Sequence, residues 1–167
     1  MLSHRERMLK CLAGDPLDRV PVALWRHFPV EDQKPDRLAR AIVDFQKTYD
    51  FDFVKITPSS SFCVQDWGSL DEWQGNPEGS CAYIKYPIQN QEDWKLLKPL
   101  SVHEGALARQ LEAVRFIRNE LDPQTPIIQT IFNPLSQAKN LVGKTNLPIH
   151  LRLYPEYVKK ALQTITQ

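Results

Sequence analysis

An arginine and a histidine stand side by side where an apolar stretch of the chain ends. Arg26 and His27 follow a run of mostly apolar residues that starts at Val20 and has the length of a β-strand. A guanidinium group binds a carboxylate through two parallel hydrogen bonds, and an imidazole gives or takes a proton near neutral pH. The pair at the end of a buried strand therefore indicates a binding or catalytic site.

A second group of polar residues follows the next apolar stretch. Ser59, Ser60 and Ser61 offer hydroxyl groups to a ligand, and Asp66 offers a carboxylate. Each of these residues also has a simpler interpretation, because serine clusters are common in loops and an aspartate before an aromatic residue and a glycine is typical of a turn. Arg26 has the alternative of a structural ion pair, and His27 that of a hydrogen-bonded packing residue.

Three further residues have two interpretations each. Lys55 lies inside the apolar stretch FDFVKIT, so its ammonium group must face a polar cavity or extend outward to solvent. Asn133 precedes Pro134 and either contacts a ligand or caps a helix, and the helix cap is favoured. Cys63 has no histidine near it in sequence and is expected to pack in the interior.

The composition excludes several classes of protein. Lysine and arginine number 21 against 20 aspartates and glutamates, so neither a nucleic acid nor a membrane surface is an expected partner. The three cysteines lack the spacing of a disulfide framework or a metal site, which predicts a reducing cytoplasmic compartment and no bound metal. No apolar run is long enough for a signal peptide or a membrane span.

Helical and strand patterns alternate along the chain. Apolar residues at helical spacing, together with capping residues and prolines, predict helices, and near-continuous apolar runs predict strands. The predicted helices cover residues 4–13, 36–50, 103–121, 134–143 and 155–167, with a helical pattern also at 91–97, and the predicted strands cover residues 20–28, 52–57 and 126–132.

This order predicts an α/β fold with parallel strands, as in a doubly wound sheet or a (β/α)8 barrel. No glycine follows any of the three strands, which argues against dinucleotide binding. A complete barrel needs about 250 residues, whereas this chain has 167. We therefore predict one partial-barrel domain over residues 1–167, with residues 59–93 as a loop insertion after the second strand.

Several stretches, taken in order, resemble the uroporphyrinogen decarboxylase superfamily. The run MLKCLAGDPLDRVPVALWRHF is similar to the opening of these proteins, where a helix leads into a DRVPV-type turn and a first barrel strand. DFVKITPSSSFCVQDWG resembles their second strand and loop, IFNPLSQAKNLVG their third strand and helix, and LYPEYVKKALQTIT a later helix. The resemblance identifies the chain as the N-terminal half of a (β/α)8 TIM barrel.

The resemblance implies a carboxy-lyase without a cofactor or metal, which decarboxylates a porphyrinogen or a related polycarboxylate in cytoplasmic porphyrin and haem biosynthesis. Arg26 is its implied catalytic residue, and Arg26, His27, Ser59 and Asp66 are its implied substrate-binding residues. The isolated chain is expected to be inactive, because half of the strand ends that would complete a barrel site are absent.

Three positions depart from the decarboxylase pattern. Val30 replaces an expected second arginine, serines at 59–61 replace an expected aspartate, and Asn140 replaces an expected tyrosine. One alternative is therefore half of a zinc-dependent corrinoid methyltransferase from the same superfamily, whose zinc ligands lie in the C-terminal half. Another is a non-catalytic half-barrel that forms a homodimer or binds a complementing C-terminal half. Such a partner would bury its open strand edges and its apolar face.

Overall fold

The computed structural model describes all residues, Met1–Gln167. The chain forms the helices α1 (His4–Ala13), α2 (Pro35–Tyr49), α3 (Gly105–Glu120), α4 (Pro134–Val142), α5 (Asn146–Leu153) and α6 (Pro155–Thr166), and the strands β1 (Val54–Ile56), β2 (Leu70–Glu72), β3 (Ala82–Lys85) and β4 (Ile127–Gln129). Short 3-10 turns lie at Glu31–Gln33, Gln65–Trp67 and Gln91–Leu96. One strand pair is parallel and the other antiparallel, so the fold is mixed α/β.

Local signals in the sequence place the helix ends. The Ser3 side chain accepts the backbone N–H of Glu6 while the Glu6 carboxylate accepts the backbone N–H of Ser3, which forms the capping box that starts α1. Gly14 ends this helix with a φ of 75°. The Asn133 side chain accepts the backbone N–H groups of Leu135 and Ser136, so its predicted role as a helix cap is confirmed.

The chain divides into two compact units. The first unit contains Met1–Ser59 and Arg109–Thr130, and the second contains Ser60–Ala108 and Ile131–Gln167. The single domain over residues 1–167 stays a prediction, as does the assignment of residues 59–93 as an insertion. No helix combines the length and apolar character that crossing a membrane requires.

The first unit is built on the parallel pair of β1 and β4. Val54 lies opposite Ile127, Lys55 opposite Ile128, and Ile56 opposite Gln129. Val54 and Ile56, the first and last residues of β1, are buried in a core with residues of α2 and α3. This core consists of Leu38, Ala39, Ile42, Val43, Val54, Ile56, Ala113, Ile117 and Leu121. Side chains alternate between the faces of a strand, so Lys55 points away from this core.

The predicted first strand, residues 20–28, is not a strand in the structure. Its backbone–backbone hydrogen bond to the residues before β1 is made by the Val22 carbonyl, which accepts the backbone N–H of Asp52 at 2.9 Å. Pro21 and Pro29 also lack the N–H that a ladder needs. Val20, Val22 and Leu24 are 75%, 51% and 61% exposed. The prediction of a strand buried on both faces was therefore wrong, because a continuous apolar run does not by itself provide hydrogen-bonding neighbours.

A buried ion-pair network joins α1 to the start of β1. Arg7 donates to Asp52 at 2.6 Å and to both carboxylate oxygens of Asp18 at 2.8 Å. Arg19 donates to both oxygens of Asp52, which also accepts the backbone N–H of Val22 at 2.7 Å. Arg7 and Asp52 are 2% and 0% exposed. Asp52 lies two residues before β1.

The second unit has its own core beside an antiparallel hairpin. β2 and β3 pair with an irregularity between Leu70 and Asp71. The core comprises Val64, Ile88, Trp94, Ala138, Leu141, Val142, Leu147, Val158 and Ala161. The Trp94 indole N–H donates to Nδ1 of the buried His150 at 2.9 Å, which requires that imidazole nitrogen to be unprotonated.

Two elements of this unit were not predicted. The strand β2 is the polar tripeptide LDE, whose side chains are exposed or half-buried, so it has no apolar pattern. Helix α5 has no side-chain cap and contains Pro148 in its first turn. Neither segment carries a local start signal, and the packing of the unit decides their conformation.

Candidate functional site

A lysine and a tryptophan meet on the face of β1 that points away from the core. The Lys55 ammonium group lies 4.0 Å from the centroid of the Trp25 ring. Such a cation–π contact holds the ammonium group without neutralising its charge. Lys55 is half-buried, and Trp25 is 51% exposed. The sequence analysis left the orientation of Lys55 open, and the structure places it beside Trp25, near the predicted site residue His27.

His27 belongs to the same neighbourhood. Burial lowers the pKa of its imidazole below the ordinary value, and the positive charge of Lys55 lowers it further. Its imidazole is half-buried, and its backbone carbonyl accepts a hydrogen bond from Nε of Arg26. At neutral pH the imidazole is therefore uncharged, with one nitrogen able to donate and the other to accept a hydrogen bond.

Arg26 lies next to this pair in sequence but makes different contacts. Its guanidinium lies 5.2 Å from the centroid of the Phe28 ring, and its Nε donates to the backbone carbonyl of His27 at 3.4 Å. Arg26 is exposed and takes part in no ion pair within this chain. Its role as a catalytic and substrate-binding residue stays a prediction.

The space beside Arg26 is too small for a substrate. A cavity of about 10 Å³ is lined by Leu24, Trp25, Arg26, Phe28, Ile42, Phe45, Gln46, Val54 and Lys55. This volume holds about one water molecule. A ligand of this region therefore has to bind on the open side of Trp25 and Lys55 rather than inside the cavity.

The other two predicted binding residues are in different places. Ser59 is half-buried at the end of the first unit, three residues after β1. Asp66 lies in the second unit, inside the 3-10 turn Gln65–Trp67, and its carboxylate accepts the backbone N–H of Ala106 at 2.7 Å. Asp66 thus caps the start of α3, which agrees with the structural alternative, while the substrate roles of both residues stay predictions.

The residues of this chain do not form a zinc site. The described chain contains no cluster of three or more histidine, cysteine, aspartate or glutamate side chains that would hold a metal ion. Burial raises the pKa of the Cys63 thiol to about 11, the opposite of what a thiolate ligand or nucleophile requires. The expected packing role of Cys63 fits its half-buried position. Zinc chemistry is therefore not assigned to any residue described here.

Sequence reasoning did not include Lys55 and Trp25 among the candidate site residues. The available signal was a lysine between Val54 and Ile56, since a charged residue in the middle of an apolar strand has to leave the packed face. The contact with Trp25 joins residues 30 positions apart and could not be inferred from spacing. Only the tertiary structure brings the two together.

Comparisons with known proteins give three related results. A family model described as uroporphyrinogen decarboxylase (URO-D) matches residues 3–167. A curated relative, the methylcobamide:CoM methyltransferase MtbA of Methanosarcina acetivorans, is 24% identical over 155 residues. The protein of the same name from Methanosarcina mazei is 22% identical over 155 residues. Each match covers 83% of this chain and 44% of the relative, so the chain spans less than half of their length.

A solved structure agrees in fold. A methyltransferase from Methanosarcina mazei matches 99% of this chain with a TM-score of 0.79, although only 19% of the aligned residues are identical. The match covers 53% of that methyltransferase chain. The α/β arrangement found here is therefore similar to about half of that fold.

Proposed function

Because this chain belongs to the uroporphyrinogen decarboxylase (URO-D) family, we propose that it forms the N-terminal half of a (β/α)8-barrel methyltransferase, which moves a methyl group from a methylated corrinoid to a thiol. The observation that carries the proposal is the pair of curated relatives, both methylcobamide:CoM methyltransferases, that match along most of the chain. The parallel pair of β1 and β4, separated by a helix, is consistent with two strands of such a barrel.

The comparisons favour methyl transfer over the decarboxylation that the family resemblance of the sequence implies. The curated relatives are methyltransferases. The chain also lacks the second arginine and the tyrosine expected of the decarboxylases, with Val30 and Asn140 in those positions. Porphyrinogen decarboxylation and a place in porphyrin biosynthesis are therefore not proposed for this chain.

This half of the barrel would bind and orient the substrate. A thiol acceptor of the type named for the relatives needs a thiolate-activating group, and the residues present here do not supply a metal site. Arg26, His27 and Lys55 supply positive charge and hydrogen-bond donors near one end of β1. Such groups hold an anionic substrate in a fixed orientation relative to groups contributed by the remaining strands.

A chimera tests this proposal directly. In the Methanosarcina acetivorans methyltransferase, the segment that matches this chain is replaced by the 167 residues, and methyl transfer from methylcobamide to CoM is measured. We expect a folded chimera to transfer methyl groups. We also expect Arg26→Gln to lower kcat/KM by about tenfold or more, the effect of losing a charged hydrogen bond.

The matched control is Arg37→Gln, which removes an exposed arginine on α2. It is expected to leave the rate unchanged. A chimera that unfolds cooperatively but transfers no methyl group, or one that decarboxylates uroporphyrinogen instead, would contradict the proposal.

A further inference from the structure

We propose that Lys55 and Trp25 form an anion-binding subsite on the first unit, which takes a small molecule with a carboxylate, sulfonate or phosphate group on an apolar body. This subsite deepens the proposed function, on which it rests for the role of the bound molecule as a substrate. Its binding chemistry is separate from Arg26, the residue that the sequence indicates for carboxylate binding, and from the reaction itself.

Lys55 is turned away from the hydrophobic core of the first unit. Val54 and Ile56 are 5% and 0% exposed in the core, so the strand turns the intervening Lys55 to the opposite face. There the ammonium group stacks on Trp25 at 4.0 Å instead of extending freely into solvent. The lysine is therefore held in a defined position before any ligand binds.

Lys55 lacks a counter-charge within this chain. The charge-paired side chains of the described chain include His4, Arg7, Arg19 and Lys95, whereas Lys55 and Arg26 have no carboxylate within ion-pair distance. An anion stabilises a half-buried ammonium group that has no carboxylate partner.

Apolar side chains lie beside Lys55 and indicate what the rest of the ligand is made of. Ile128 lies opposite Lys55 in the parallel pair, so both side chains are on the same face of the sheet. Ile128 is 48% exposed and Trp25 is 51% exposed. An anionic group at Lys55 thus has two apolar side chains beside it, which favours an anion attached to an apolar body over a free inorganic ion.

Arg26 and Lys55 make different contacts. The guanidinium of Arg26 lies over Phe28, which packs against the hydrophobic core of the first unit. Arg26 and Lys55 both line the small cavity beside Trp25. Arg26 is exposed and its guanidinium lies over Phe28, whereas the half-buried Lys55 stacks on Trp25 and shares a face of the sheet with Ile128. Lys55 is therefore the cation of this subsite.

The test measures binding by NMR on the purified chain at pH 7.5. Sodium acetate and sodium methanesulfonate are titrated against sodium chloride at equal ionic strength, and the Trp25 indole N–H resonance is followed after assignment with Trp25→Phe. We expect a saturable shift with both organic anions. Lys55→Gln should weaken binding at least fivefold, whereas Lys10→Gln, which removes an exposed lysine on α1, should leave it unchanged.

A second readout distinguishes a binding role from a merely structural one. Anion binding should raise the pKa of His27, because the anion offsets the charge of Lys55, and this rise should be absent in Lys55→Gln. If Lys55→Gln does not fold, Lys55→Arg keeps the charge and is expected to keep the binding. A shift that does not saturate, that chloride reproduces, or that persists in Lys55→Gln overturns the subsite. Failure of the methyl-transfer chimera with intact anion binding would overturn only the proposed reaction.

Discussion

Asp52 lies at the centre of the buried ion-pair network of the first unit. Its buried carboxylate accepts hydrogen bonds from Arg7, Arg19 and the backbone of Val22, and from Nδ1 of His4 at 3.2 Å. Burial raises the pKa of this carboxyl, but the hydrogen bonds lower it by more, so the pKa lies well below the usual range. Asp52 is therefore ionised in the folded protein and holds α1 and the following turn against the start of β1.

We expect Asp52→Asn to lower the free energy of unfolding by about 3 kcal/mol, because it leaves the buried guanidinium of Arg7 without half of its counter-charge. Urea denaturation measures this loss. Asp50→Asn is the matched control, because its exposed carboxylate contacts only Nε2 of His4, at 3.0 Å, and the expected change is within about 0.5 kcal/mol. Equal effects of the two substitutions would show that the buried network does not contribute as the contacts indicate.

Asp52→Asn should also change how the free energy of unfolding depends on pH. The pKa of Asp52 is lower in the folded than in the unfolded protein, so its contribution is fully present above the unfolded value of about 4 and is lost as the pH falls toward the folded value. The hydrogen bond from Arg7 likewise lowers the pKa of Asp18. The free energy of unfolding should therefore fall below about pH 5, and less steeply in Asp52→Asn than in the unsubstituted chain.

The start of α3 shows how one helix depends on a distant loop. Gly105 has a φ of +61°, and a Cβ at that position would overlap the Asp66 carboxylate. The carboxylate accepts the backbone N–H of Ala106 at 2.7 Å and so satisfies a donor that the first turn leaves free. A 3-10 turn and a helix are thereby joined through residues 40 positions apart.

Asp66→Ala is expected to cost about 1 kcal/mol of stability, the usual loss on removing a helix cap. Thermal unfolding followed by circular dichroism measures it. Asp15→Ala is the control, since this exposed aspartate precedes Pro16 outside any helix. Unchanged stability of Asp66→Ala would contradict the capping role.

The molecule exposes several apolar side chains and the edges of two-stranded sheets. Val20, Val22 and Leu24 are more than half exposed, and β4 pairs with β1 on one side only. Open strand edges and contiguous apolar side chains favour association with another chain. The matched methyltransferase chain is about twice as long as the part of it that this chain covers. Two copies of this chain therefore have about the length of that methyltransferase chain.

We expect the purified chain to self-associate through residues 20–24 and the free edge of β4. Sedimentation velocity at several protein concentrations should show a dimer that Val20→Gln combined with Leu24→Gln dissociates. The urea midpoint of the unsubstituted chain should rise with concentration. Leu12→Gln, on the exposed end of α1, is the control. A monomer at all concentrations would argue against the homodimer and leave a complementing C-terminal half as the proposed partner.

Amino-acid order alone determined the helices other than α5, the caps at Ser3 and Asn133, the strands around residues 54–56 and 127–129, and the family resemblance. Each depends on hydrogen bonds or apolar spacing within a few residues, which a sequence records directly. The tertiary structure alone decided that residues 20–28 form no strand, that Asp52 joins two arginines, and that Lys55 meets Trp25. These features depend on contacts between residues 30 or more positions apart, and no local pattern encodes which distant side chains come together.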